Sequence, residues 1–130
     1  MGEIKNFTDL ISYKKSHDLV LDIYSLCKKF PADERFALTD QMRRATISIT
    51  SNIAEGFSRG SSKDKAHFYA MAKGSLTEIY SQILVSKDLK YISENESVMV
   101  LEKISECIRL ISGLMTSSPG SAALRPGFPF

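Results

Sequence analysis

Five polar residues pose the first chemical question. Gln41, Arg44, Ser48, Asn52 and Glu55 recur at steps of three and four. On a helix, at about 100° per residue, they fill an arc of roughly 80°. Leu38, Met42, Ala45, Ile49 and Ile53 form an apolar stripe directly beside them. Donors and acceptors ordered next to a core stripe suit a buried hydrogen-bond network, between helices or between subunits. A groove lined for a ligand is the functional alternative. A hairpin centred near Gly60 sets Arg44 against Ser75 and Glu78, and Glu55 against Lys65. An Arg44–Glu78 ion pair across that hairpin is therefore expected. Arg44, Ser48, Asn52, Glu55, Ser75 and Glu78 make up the expected structural polar network.

A second set of residues is cationic. Between Gln41 and Lys73 stand Arg43, Arg44, Arg59, Lys63, Lys65 and Lys73, against only Glu55 and Asp64. Arg43, Arg59, Lys63, Lys65 and Lys73 are the candidate nucleic-acid-binding residues, since clustered cations suit phosphates. Phe57, Phe68 and Tyr69 are the aromatic residues among them, so stacking is expected to be minor. The whole chain carries a net charge of only +2, and a plain solvated surface accounts for the same cations.

Other chemistry finds little support. A di-iron bundle needs Glu-x-x-His pairs, and neither His17 nor His67 has a glutamate three residues before it. Ser58 to Lys63 lacks the Gly-Lys-Ser/Thr order of a phosphate-binding loop. Arg59 and His67 have seven intervening residues, where small helical nucleases of the HEPN type use four to six. Cys27 and Cys107 form no metal motif and no disulfide framework, and read as small core residues. No catalytic, cofactor or metal residue is assigned.

The elements that must position these residues are helices. The first starts near Thr8 or Asp9 and runs to Phe30, where Pro31 stops it, with Tyr13, Val20, Ile23, Cys27 and Phe30 on one face. The second runs from Thr39 or Asp40 to Gly56, read as a left-handed end residue. The third, capped by Ser61 or Ser62, reaches Leu89 and buries Phe68, Met71, Ala72, Ser75, Leu76, Ile79 and Ile83. Gly74, inside it, suggests a closely approaching neighbour. The fourth runs from a Ser93 cap to Thr116, with Val98, Leu101, Ile104, Ile108, Ile111 and Met115 as its seam. Short connections make successive helices antiparallel. The fold class is all-α, an antiparallel up-down-up-down four-helix bundle over residues 1–116. Residues 117–130, rich in proline, glycine and serine, read as a flexible tail. Ile47, off the core stripe, and Tyr91-Ile92 suggest contact with a partner.

Arg43 to Ser61 (RRATISITSNIAEGFSRGS) and His67 to Glu78 (HFYAMAKGSLTE) resemble the bacterial four-helix bundle proteins encoded in intervening sequences of 23S ribosomal RNA genes. Phe7-x-x-Leu10 and Phe30-Pro31-x-x-Glu34 fit as well. The likeness spans about residues 7 to 116. It implies a small bundle that assembles as a homo-oligomeric ring, usually a pentamer. A relative, the accessory protein of diversity-generating retroelements, is a basic pentameric barrel that binds nucleic acid and a reverse transcriptase.

The expected function is thus a non-enzymatic helical adaptor whose basic face contacts RNA or DNA, with a protein partner alongside. A protein–protein interaction module without nucleic acid, or a small helical nuclease, remain as alternatives. At 130 residues the chain is one domain, without a signal-like start and without an apolar run near the ~20 residues of a membrane span. A cytoplasmic protein with no membrane contact is expected.

Overall fold

The computed structural model describes residues 2–117, and its regular elements there are all helical. They are α1 (Ile11–Cys27), α2 (Leu38–Ser58), α3 (Ser62–Asp88) and α4 (Glu94–Ser117), with 3-10 turns at Phe7–Asp9 and Ala32–Glu34. The tail expected from residue 117 lies, from 118 onward, outside the described residues. Each helix packs on two neighbours, in the cyclic order α1, α2, α3, α4. Lys15 meets Glu106, Asp22 meets Lys103, and Lys29 meets Glu96, so α1 and α4 run antiparallel. Gly56 against Tyr69, Ser48 against Ser75 and Met42 against Ser86 give α2 and α3 the same relation.

Local chemistry explains the ends. Asn6 accepts a hydrogen bond from Thr8 N, and Asp9 accepts from Asn6 N at 3.1 Å. This reciprocal box closes a separate first turn, so α1 begins at Ile11 rather than at Thr8 or Asp9. Leu10 between them is extended and buried. α1 stops at Cys27, three residues short of the expected Phe30, and Phe30 folds back into the core ahead of Pro31. Ser61 caps α3 by accepting from Asp64 N, and Ser93 and Glu96 form a box at α4. Thr39 and Asp40 do not cap α2. It starts at Leu38, with Thr39 buried and Asp40 in the first turn.

Gly56 is not a helix end. It lies inside α2, which continues to Ser58. A Cβ at Gly56 would stand 2.7 Å from Cε1 of Tyr69 and 3.1 Å from Cβ of Phe68. Glycine is needed there for the approach of α3, not for a left-handed backbone.

The left-handed residue is Lys90, at φ 68°. Lys90 N donates to Lys87 O and Tyr91 N donates to Ser86 O, which closes α3 as a Schellman motif. Lysine in place of glycine carries strain of about 1–2 kcal/mol, partly offset by its lower unfolded-state entropy. Lys90→Gly is therefore expected to raise stability by about 0.5–1 kcal/mol in urea unfolding; a loss of stability would contradict this account.

The core holds Met42, Ala45, Ile49 and Ile53 from α2, as expected. From α3 it takes Tyr69, Ala72, Leu76, Ile79 and Ile83. Met71, expected inside, is 45% exposed, and Val98 of α4 is 46% exposed. Both sit one step round from the true stripes, which use Tyr69 and Ser97 instead. Leu19 and Leu26 of α1, and Val100 and Cys107 of α4, are buried as well. Tyr91 and Ile92 form no partner patch. Ile92 is buried, and Tyr91 packs on Phe30 and donates to Glu34 at 2.7 Å.

Candidate functional site

The polar stripe of α2 faces the seam with α3, but only its middle is shielded. Ser75 Oγ donates to Ser48 Oγ at 2.8 Å, and Asn52 Nδ2 donates to the carbonyl and hydroxyl oxygens of Ser48. These three residues form a small half-buried network that ties the two helices. Asn52 therefore bonds back to the preceding turn of its own helix.

The charged members behave differently. Arg44 is 80% exposed and binds Asp40 on its own helix, 3.1 Å away. Glu78 is exposed and accepts from Gln82 Nε2. The expected Arg44–Glu78 pair is absent from the described contacts of either side chain. Glu55 pairs with Arg59 instead of Lys65. The cause is register. Ser48 meets Ser75 rather than a residue near 72, because α3 begins about one turn beyond the end of α2. Arg59 and Ser61 are extended, so the connection carries the chain outward before α3 starts.

The five candidate cations do not form one patch. Arg43 lies in the second turn of α2 and Arg59 just past its end, 16 positions on, which puts them about 24 Å apart along its axis. Lys65 is structural. Its Nζ donates to Phe57 O at 2.6 Å and to Gly56 O at 3.4 Å, and so satisfies carbonyls at the end of α2. Lys73 is half-buried, and burial pulls its ammonium below the usual lysine range. Arg59 and Lys63 remain together at the α2–α3 corner. The Arg59 guanidinium lies 4.5 Å from the Phe68 ring centroid and also binds Glu55. His67, exposed, meets the same ring edge-on.

Arg43 belongs to another seam. It is half-buried between α2 and α1, with its guanidinium 5.4 Å from the Tyr24 ring centroid. Its Nε is buried without a hydrogen-bond partner. Cys27 lies within reach of its field, yet burial pushes that thiol up from its ordinary range. Tyr24 is an interacting residue that reading for basic clusters passes over. Its signal was the spacing Tyr13, His17, Tyr24 and Lys28, which keeps aromatic and basic groups on one edge of α1.

Among the described residues, no three histidine, cysteine or carboxylate side chains gather as metal ligands, and no helix is long and apolar enough to cross a membrane. The family model described as 23S rRNA-intervening sequence protein matches residues 8–113. No curated protein matches the chain.

Proposed function

The chain belongs to the 23S rRNA-intervening sequence protein family, and from that membership and its surfaces we propose that it is a non-enzymatic helical scaffold that self-assembles and holds nucleic acid. The observation that carries the reading is the outer face of α3. Between residues 70 and 85 the exposed positions there are Ala70, Met71, Gly74, Thr77, Ser81, Leu84 and Val85, with Glu78 as the one exposed charge in that stretch. Gly74 has nothing within 4 Å of where its Cβ would be. A mid-helix glycine costs about 1 kcal/mol relative to alanine, and no contact among the described residues offsets that. A second copy packed closely over the glycine would do so. Ile47, 44% exposed on α2, is a separate exposed apolar residue. The family resemblance makes a ring of five the expected assembly. In a ring, each copy of Arg59 and Lys63 recurs, and weak phosphate contacts gain avidity.

The test joins two measurements. Light scattering at micromolar concentration should give a mass near five chains; the mass of one chain would reject self-assembly. Fluorescence anisotropy should show oligonucleotide binding at low salt, with log affinity falling by about 0.7–0.9 per phosphate neutralised. An assembled protein that binds no oligonucleotide would be a plain interaction module. The nuclease alternative draws on Arg59 and His67 meeting at one ring. RNA cleavage that disappears in His67→Ala would favour it.

A further inference from the structure

We propose that the groove between α1 and α2 is a track for single-stranded nucleic acid, with bases stacked on the rings of α1 and phosphates held by Arg43 and nearby cations. This rests on the nucleic-acid reading above and moves its main contact from the α2–α3 corner to a different seam.

The first observation is the placement of ion pairs. Lys15–Glu106, Asp22–Lys103 and Lys29–Glu96 all bridge α1 to α4. Asp40–Arg44 and Glu55–Arg59 lie within α2 and its end. Among the described residues, no such pair bridges α1 to α2. Yet Arg43 stands in that seam, half-buried, with its Nε unpartnered. A cation drawn partly out of water without a carboxylate is unfavourable until an anion meets it.

The second observation is what lines the opposite wall. Tyr13, His17, Tyr24 and Lys28 are spaced four, seven and four, which keeps them on one edge of α1. Phe7 packs edge-on against Tyr13 at 4.9 Å, and Tyr13 lies 6.0 Å from His17. His17 and Lys28 are exposed, while Tyr13 and Tyr24 are half-exposed. Carboxylates avoid this edge. Asp22 is held by Lys103, and Asp18 lies close enough to Lys103 and Cys107 to act on both, which puts it toward α4. On α2, Asp40 and Glu55 are taken by Arg44 and Arg59. The groove thus offers cations and π faces with no competing acid from these two helices. A polyanion with flat, unpaired rings complements both properties. A duplex hides its rings, and an acidic peptide has none.

The test uses the full-length protein and two double variants of equal charge change. Lys28→Gln/Arg43→Gln should weaken binding of a short single-stranded RNA about tenfold or more, as two phosphate contacts are lost. Arg59→Gln/Lys63→Gln should weaken it less. Photocrosslinking with 5-iodouracil in the RNA should label Tyr13 or Tyr24, and a duplex of the same sequence should bind more weakly. His17→Gln/Lys28→Gln changes only exposed side chains and should also weaken binding, should Arg43→Gln disturb the fold by circular dichroism. If the groove variants keep full affinity while the corner variant loses it, the groove proposal fails and the wider reading stands. If no oligonucleotide binds, the wider reading fails and the groove with it. Polyglutamate binding as tightly as RNA, with no tyrosine crosslink, would overturn the proposal in favour of an acidic protein partner.

Discussion

Replacing Ile49 by alanine is expected to lower the stability of the bundle by about 2–5 kcal/mol. Ile49 is 0% exposed and sits on the stripe that α2 turns toward the core. Met42, Ala45 and Ile53 flank it on the same helix, and all are buried. α2 packs on both α1 and α3, so neighbours on two sides would have to move to fill the space. Removing three carbons loses their transfer free energy and leaves a cavity that such a frame closes only in part. Ile53→Ala should behave alike. Ser51→Ala, two residues away on the exposed side, serves as the control and should change stability by under about 0.5 kcal/mol. Urea unfolding at fixed protein concentration measures all three, since assembly makes stability depend on concentration. A loss below about half a kilocalorie at both Ile49 and Ile53 would mean that the core lies on another face of α2.

Gly56→Ala is the second large effect, and its sign is informative. In an open helix this change gains about 1 kcal/mol from propensity. Here the new methyl would stand 2.7 Å and 2.9 Å from two carbons of the Tyr69 ring. That ring is 3% exposed and cannot swing away into solvent. Overpacking of this kind costs about 1–3 kcal/mol, so after the propensity gain a net loss of up to about 2 kcal/mol is expected. A double-mutant cycle with Tyr69→Leu separates causes. Shortening the ring should remove much of the penalty of Gly56→Ala. No coupling between the two sites would show that the clash does not limit this position.

How much was legible can be judged at particular residues. The α2 stripe was readable because Leu38, Met42, Ala45, Ile49 and Ile53 keep one helical phase and polar residues fill the rest. α3 was harder. Phe68, Tyr69, Met71 and Ala72 crowd its first half, and Ile83, Leu84 and Val85 run consecutively. Apolar residues then occur round most of the circumference, and periodicity does not choose among them. The choice fell to the neighbours, and it took Tyr69 in place of Met71. Of the candidate site, Ser48 and Ser75 do meet, whereas the cation set divides into four environments. Charge density along a chain records composition but not which seam a side chain enters.

By itself, the chain determined four helices, their approximate ends and the interior face of α2. These follow from local terms: caps at Ser61 and Ser93, the stop before Pro31, and the phase of apolar residues along each segment. The tertiary structure alone decided the α2–α3 register, and with it the partners of Arg44, Glu55, Lys65 and Glu78. It also decided that Gly56 is a contact glycine and that Arg43 faces Tyr24 across the α1–α2 seam. Register depends on where one helix starts relative to the end of another, and a few extended residues shift it by a turn. Such a shift leaves every local pattern intact while exchanging every side-chain partner, so only the assembled packing could settle it.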